Sequence, residues 1–422
     1  MKFIHAADLH IDSPLKGLDG YAGAPLERLR GATRQAFLGL VAAAIERRVD
    51  LVVLAGDIFD GNWQDFRTGL FFREQLVRLT RAGVRVFIAK GNHDAESQIT
   101  RQLPAVEGVH LFSSRGCETI RLDDLGVALH GRSFPQRAVN EDFVSGYNPP
   151  VPGLFNIGVL HTSLTGSPDH DPYAPTSVAA LSACGYDYFA LGHIHARQVV
   201  QEADPRIVFP GNLQGRHAKE VGAKGCELVT VTGGRIESTE ALAFDVVRWH
   251  QIRLDVAALA TIDALAASCS REFAKLVADD RERLHAVRVT LHGETALHRL
   301  EAEQPGTLRA AVQASAQDVG TADVWIEQVP LELRSPLDRR EAAQRDDAYG
   351  EVVRLVDELA ADEEALRRFV DEHVGDIARL PADLADAALA ALPAAALRQA
   401  LVDAEASVLA LLGETAAIRA DS

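Results

Sequence analysis

From residue 1 to about 242 the chain alternates short apolar runs with stretches whose apolar residues recur at helical spacing. MKFIHAAD at the start reads as a strand, DLVVLAGD (50–57) as a buried strand and VRVFIAKGN (84–92) as the next. PLERLRGATRQAFLGLVAAAIERR (25–48) predicts a helix with Pro25 near its first turn, where a missing N–H is tolerated. Asp65 to Ala82 predicts a second, amphipathic helix. Further strands are expected at GVALHG, LFNIGVLH, YDYFALGH, RIVFPGN, CELVTVT and RIESTEAL. Strand, helix and strand in alternation predict an α/β fold with helices packed on sheets.

The texture changes near residue 244. DVVRWHQIRLDV, HAVRVTLHG and ADVWIEQVPL are strand-like runs separated by helical stretches at about 258–278 and 296–318, which predicts a small α+β domain. Trp249, Trp325 and Phe273 are expected in its core. After Ser335-Pro336 the chain is rich in Ala, Leu and acids and reads as helical, with Pro381 and Pro393 as interruptions. Leu397, Leu401, Val408 and Leu412 predict an apolar stripe on the last helix. The expected division is 1–243, 244–334 and 335–422. A chain of 422 residues has room for these, at roughly 100 to 200 residues per domain.

Composition narrows the class. With 47% hydrophobic and 24% charged residues, the chain is neither collagenous, disordered nor disulfide-stapled. No apolar run approaches the roughly 18 to 20 residues that span a bilayer, so no membrane association is expected. The start MKFIHAADLH lacks the charged and apolar regions of a secretory signal. Cys117, Cys184, Cys226 and Cys269 are widely separated and read as reduced, mostly packed thiols of a cytoplasmic protein. The formal net charge of −17 argues against an electrostatic grip on nucleic acid. The motifs argue the other way.

Five blocks each follow an apolar strand and supply carboxylate, amide or imidazole ligands. They are Asp8-Leu9-His10, Gly56-Asp57-Ile58-Phe59-Asp60, Gly91-Asn92-His93-Asp94, His161, and Gly192-His193-Ile194-His195. The carboxyl ends of strands in an α/β sheet share one rim, where distant loops meet. Gly56, Gly91 and Gly192 permit tight turns there. Any one block is weak, because a lone His after a strand is usually a packed or surface residue, but five in series point to metal. Mixed Asp, His and Asn donors suit borderline divalent ions such as Mn²⁺, Fe²⁺ or Zn²⁺ better than Ca²⁺. Seven ligands exceed one four-coordinate site and fit two ions sharing a carboxylate, an arrangement suited to phosphoester hydrolysis.

The series D-x-H, GD-x-x-D, GNHD, H and GH-x-H resembles the calcineurin-like metallophosphoesterase superfamily over about residues 1–242. Within it, ADLHIDSPLKGL (7–18) and FPGNLQGRHAKEVGAKGCELV (209–229) are similar to the YhaO-type DNA repair exonucleases, relatives of SbcD. The resemblance implies a sandwich of two β-sheets flanked by helices, with a cap at 244–334 that positions DNA. It implies that Asp8, His10 and His195 hold one ion, that Asn92, His161 and His193 hold the other, and that Asp57 bridges them. The metal would be Mn²⁺ in first place, with Fe²⁺, Zn²⁺ or Mg²⁺ as alternatives. His93 would be the general acid or transition-state stabiliser, oriented by Asp94, with Asp60 in a supporting position. The implied partners are DNA, a YhaN/SbcC-like ATPase subunit and a second copy of the chain; the C-terminal helices either pack as a domain on their own chain or dock that ATPase. Two other readings stay open: a phosphatase or cyclic-nucleotide phosphodiesterase, and a non-catalytic subunit serving an ATPase.

Weaker positions carry two readings. Arg216, His217 and Lys219 meet substrate phosphates or form a solvated turn. Asp12 and Ser13 shape the loop after the first ligands, while His5 is packed and His130 structural. Asp169-His170-Asp171 is a surface turn before it is an extra ligand set. The charge is also uneven. Residues 335–422 carry −10 of the −17, so the body of the chain is only moderately acidic before two divalent ions are counted.

Overall fold

The computed structural model describes residues 1–13, 25–60, 65–96, 105–164, 173–319, 324–336, 339–373 and 393–420. The chain divides into two compact units, Met1–Gln251 with Asp280–Val287, and Ile252–Asp279 with Arg288–Ser422. Asp169, His170, Asp171 and Pro381 lie outside the described residues.

The first unit is built on two six-stranded sheets. One contains β1 (Lys2–Ala6), β2 (Leu51–Ala55), β3 (Arg85–Ala89), β4 (Val109–Leu111), β11 (Gly225–Thr232) and β12 (Arg235–Ala243), ordered β12-β11-β1-β2-β3-β4. The other contains β5 (Glu118–Leu122), β6 (Val127–Gly131), β7 (Phe155–His161), β8 (Tyr188–Gly192), β9 (Gln198–Gln201) and β10 (Arg206–Phe209), ordered β5-β6-β7-β8-β10-β9. β1 to β4 are parallel, as are β6, β7, β8 and β10, while β5, β9, β11 and β12 pair antiparallel. Each parallel block therefore presents its carboxyl ends at one rim.

Side-chain alternation explains why the sheets stack. In β2, Leu51, Val53 and Ala55 join Phe3, Phe87, Ile157, Tyr188 and Val208 in the core between the sheets. Val52 and Leu54 face the opposite way, onto Ala36, Phe37 and Leu40 of the helix Leu26–Glu46 and Phe72 and Leu76 of the helix Phe66–Arg81. The outer face of the second sheet packs on Phe134, Phe143, Leu181 and Tyr186. The fold is thus α/β, two sheets flanked by helices. His5 occupies an inward position of β1, is fully buried, and bonds the Tyr188 hydroxyl (3.0 Å) and the Leu191 carbonyl (3.0 Å), so it is a packing residue. His130 is likewise used internally, between Thr119 Oγ1 (2.9 Å) and Asn156 Oδ1 (3.0 Å) and stacked on Tyr186.

Trp249, expected in the small α+β domain, is buried in the first unit instead. Its indole N–H needs an acceptor and finds the Gly215 carbonyl at 2.9 Å. The second unit holds the helices Ile262–Asp279, Leu297–Glu303 and Thr307–Asp318. The single helix expected at 296–318 is split by Gly306 in a left-handed conformation (φ 94°). ADVWIEQVPL gives the strand Val324–Gln328, which stops before Pro330, a residue with no N–H for a ladder; a second strand, Leu331–Arg334, begins at the last residue of that run. The second of these pairs in parallel with Leu284–Glu294, Leu331 opposite Leu291.

The C-terminal stretch is helical, over Arg339–Ala343, Ala348–Ala361, Glu363–His373 and Ala394–Ala420. Leu397 and Leu401 pack with Leu359, Leu366 and Phe369, and Leu412 with Val353. Val408 is 42% exposed, and its neighbour Leu409 takes the buried place in the stripe. Pro393 stands just before the last helix, and its carbonyl accepts from Leu397 N in the first turn. No helix among the described residues is long and apolar enough to cross a membrane.

Candidate metal centre

All five ligand-bearing blocks follow the carboxyl ends of parallel strands, namely β1, β2, β3, β7 and β8. β7 shows how strand parity selects a candidate ligand. Phe155, Ile157 and Val159 point between the sheets, and His161, two residues on, points the same way at the strand end. It thereby reaches across to β2, where its Nδ1–H donates to the Ala55 carbonyl at 2.9 Å. That bond leaves Nε2 facing two acceptors, Asn92 Oδ1 (2.9 Å) and Asp57 Oδ2 (3.4 Å), a setting that calls for a proton or a cation on Nε2.

The close approach of the two sheets at one point, and of the loops after β2 and β3 at another, depends on missing Cβ atoms. A Cβ at Gly192 would lie 1.9 Å from the Ala55 carbonyl oxygen, and one at Gly91 would lie 2.2 Å from Asp57 Oδ1. Neither glycine has a positive φ, so space rather than a turn demands it. The ligand loops themselves carry the unusual backbone. Asp8 (φ 53°), His10 (42°), Asp57 (54°) and His193 (104°) are all left-handed, at a typical cost of about 1–3 kcal/mol each that functional sites often carry.

Two donor groups result. Asp8, His10 and His195 bring ligand atoms within 4.8 Å of one another, and so do Asp57, His161 and His193. Asn92 adjoins the second through His161. Asp57 faces both, its Oδ2 3.4 Å from His161 Nε2 and 3.9 Å from His10 Nε2. Its Oδ1 accepts from the backbone N–H of His93 at 3.0 Å. Asp8 accepts from the backbone N–H of His193, 3.2 and 3.0 Å from its two oxygens.

The donor chemistry fits cations. His10 Nδ1–H donates to Asp60 Oδ1 (2.7 Å) and His195 Nδ1–H to Glu220 Oε1 (2.6 Å). Both rings then present Nε2 lone pairs, which face each other at 3.2 Å. Two lone pairs at that distance need a positive charge between them. Imidazoles oriented through their other nitrogen by a carboxylate are a recurrent feature of metal sites. The fields agree. Burial opposes the charge on Asp57, but His161, His10 and His93 hold its carboxyl well below the usual range. Burial also opposes a charge on His161, yet Asp57 and Asp8 raise it to about 9, so this spot attracts a cation. Burial and then Arg216 push His10 down to about 4, which keeps its ring neutral.

His93 sits at the edge, one-third exposed, with Nδ1 3.7 Å from Asp60 Oδ1 and its ring 5.3 Å from that of His10. Asp94, expected to orient it, faces elsewhere. Its oxygens accept from the backbone N–H groups of Phe59 (3.0 Å) and Gly91 (3.1 Å), stitching the β2 and β3 loops together. Successive helical residues point about 100° apart, so adjacency to His93 did not imply contact. We expect Asp94→Ala to act through folding, by stranding two buried donors at about 1–3 kcal/mol each. Chemical denaturation of the variant checks this.

Asp60 is the hub on this side. It bonds His10 and Ser13 and lies 3.4 Å from Arg216 Nη1, and despite burial these partners keep its carboxyl well below the usual range. Asp12 instead pairs with Arg34 and accepts from Thr68. Of the block at 216–219 only Arg216 reaches the donors. His217 is mostly exposed, 3.5 Å from Glu220, and Lys219 is exposed. Glu220 was missed as a contact of His195, although it belongs to the FPGNLQGRHAKE run that singled out this loop.

Residues 1–197 match the calcineurin-like phosphoesterase family, whose members use a dinuclear metal centre, and residues 249–334 match the middle domain of metallophosphoesterase YhaO. The chain is 36% identical to the uncharacterized metallophosphoesterase YhaO of Bacillus subtilis, over 79% of this chain and 81% of that protein. It is 28% identical to the DNA double-strand break repair protein Mre11 of Methanopyrus kandleri, over 46% of this chain and 44% of that one. Against the SbcD component of the nuclease SbcCD of Escherichia coli K12 the identity is 24%, over 59% and 69%. With a relative this similar over most of both lengths, the chain belongs to the calcineurin-like metallophosphoesterases of the YhaO type.

Proposed function

We propose that this metallophosphoesterase is a two-metal phosphodiesterase acting on DNA, an exonuclease of DNA repair. The carrying observation is the pair of donor groups facing Asp57, with a half-buried His93 and the Arg216 guanidinium at their edge. The names of the Mre11 and SbcCD relatives favour DNA over other phosphoesters.

Asp8, His10 and His195 would hold one ion, and Asn92, His161 and His193 the other, with Asp57 between. Mn²⁺ suits this mixture of imidazole, carboxylate and amide. Such ions neutralise charge on a phosphoryl group and acidify water. The chain's own residues do the rest. Ala55, Asp60 and Glu220 fix three imidazoles so that their Nε2 lone pairs point inward. His93 stands where an exposed imidazole can pass a proton to a departing oxygen. Arg216 offers a guanidinium for a substrate phosphate, with Asp60 holding it in reserve. The segment 244–334 would form the cap over DNA.

The test is Mn²⁺-dependent hydrolysis of linear and nicked DNA beside a chromogenic phosphodiester and a phosphomonoester. Release of nucleotides from linear DNA is the expected result. Turnover of the monoester alone would make the protein a phosphatase, and no turnover of any substrate would favour a non-catalytic role.

The C-terminal helices are proposed to dock a YhaN/SbcC-like ATPase. Co-expression with such a partner is expected to give a copurifying complex that deletion of 336–422 dissolves. Copurification that survives the deletion overturns the assignment.

A further inference from the structure

Glu220 lies between two parts of the site. It is 7% exposed on the loop joining β10 to β11, and a buried carboxylate must be compensated by hydrogen bonds. Its two oxygens divide the partners. Oε1 accepts from Nδ1–H of His195 at 2.6 Å. Oε2 accepts from the Asn212 side-chain amide at 2.9 Å and from the backbone N–H of Arg216 at 2.7 Å. Lys224 closes the arrangement by donating from Nζ to the His195 carbonyl at 2.9 Å. Burial opposes the charge on Glu220, yet His195 and Arg216 hold its carboxyl well below the usual range.

The loop is anchored apart from Glu220. Gln214 accepts from Val246 N (2.8 Å) and donates to the Val247 carbonyl (2.6 Å), and Trp249 holds the Gly215 carbonyl. Gln251 Nε2 holds the Ala218 carbonyl at 2.7 Å, so what those anchors leave to Glu220 is the backbone N–H of Arg216, where that residue turns toward Asp60.

We infer that Glu220 is a positioning residue that couples the ion site at His195 to the order of the loop presenting Arg216. This rests on the two-ion reading above. A cation on Nε2 makes the Nδ1–H a stronger donor to Oε1, which fixes the carboxylate and with it the Arg216 backbone. By linkage, an ordered loop favours the ion in return. Metal occupancy and the phosphate-facing guanidinium are thus set by one side chain.

The experiment is Mn²⁺ calorimetry on the full chain, with hydrogen exchange at 212–220 with and without Mn²⁺. Glu220→Gln is expected to weaken one of two ion sites by about 10- to 100-fold, the range seen for carboxylates that orient ligand histidines. It should also abolish the Mn²⁺-dependent protection of the loop. In a His195→Ala background the same change should have no further effect on ion affinity. Asn212→Ala, which spares the His195 contact, should keep both affinities. Full affinity at both sites in Glu220→Gln, or a loss from Asn212→Ala as large as its own, overturns the coupling. If the wild-type chain binds fewer than two ions, the two-ion reading fails first and this inference with it.

Discussion

Asp57→Asn is expected to abolish ion binding at both donor groups while leaving the fold intact. Oδ1 of Asp57 accepts the His93 backbone N–H, and an Asn carbonyl oxygen can keep that bond. The amide NH₂ then replaces Oδ2, 3.4 Å from His161 Nε2 and 3.9 Å from His10 Nε2. There it donates to a lone pair that would otherwise bind metal. The substitution satisfies the buried acceptors of the metal-free site and removes the shared anion that two cations need. Wild-type protein should melt at a higher temperature when Mn²⁺ is added, gaining about 2.7 kcal/mol at one hundred times Kd for a single site. The variant should show no such shift, measured against its own metal-free melting temperature. Phosphoester hydrolysis should fall by on the order of 10³ or more, since metal ions supply several kcal/mol of transition-state stabilisation and each ~1.4 kcal/mol is tenfold. An unchanged ion stoichiometry in calorimetry would refute the bridging role proposed for Asp57.

What the sequence revealed about this site, and what it hid, follow from how each residue is placed. His161 was legible because its parity in β7 is a property of the strand itself, with Phe155, Ile157 and Val159 on the same face. Asp8, Asp57 and His193 were legible as residues following strand ends. The left-handed backbone they adopt could not be read, because it is imposed by neighbours such as the Gly56 carbonyl bonded to Asp8 N. Gly91 and Gly192 read as turn formers, but Gly192 is a gap that lets the two sheets touch and Gly91 one that lets the loops after β2 and β3 close on Asp57. Asp94 misled because sequence adjacency is poor evidence of side-chain contact. Glu220 was hidden by distance: 25 residues separate it from His195, and only the return of the chain through β9 and β10 brings them together. The edge strands β5 and β9, half-exposed and without an apolar run, gave no period-2 signal strong enough to mark them. Buried strands announce themselves by composition; edge strands depend on the neighbour that they pair with.

The net charge of −17 looks different beside this geometry. Asp8, Asp57, Asp94 and Glu220 are buried and engaged by imidazoles, backbone N–H groups or arginine. They present little free charge to a substrate, and a further −10 belongs to residues 335–422. An acidic composition is therefore compatible with an anionic substrate when the acids are consumed inside the fold and the ions restore positive charge at the cleft.

His93→Ala is expected to separate metal binding from chemistry. The hydrogen bond of this residue to the proposed ligands runs from its backbone N–H to Asp57, which alanine retains, and its ring only edges that of His10 at 5.3 Å. Its side chain is one-third exposed, so truncation leaves little buried void and costs little stability. Both ion affinities should therefore match wild type. Hydrolysis should fall by about 10²- to 10⁴-fold, the usual worth of a positioned acid or base. The loss should be greatest for substrates with poor leaving groups, such as DNA. It should be smallest for a chromogenic ester, whose phenolate departs without help. That gradient is what distinguishes proton delivery from a role in orienting substrate, which would slow both substrates alike. Near wild-type cleavage of DNA by a His93→Ala protein that still binds two ions would exclude the imidazole from the reaction. Asp60, whose Oδ1 lies 3.7 Å from His93 Nδ1 and also accepts from His10, would then be left with the support of that ligand as its function.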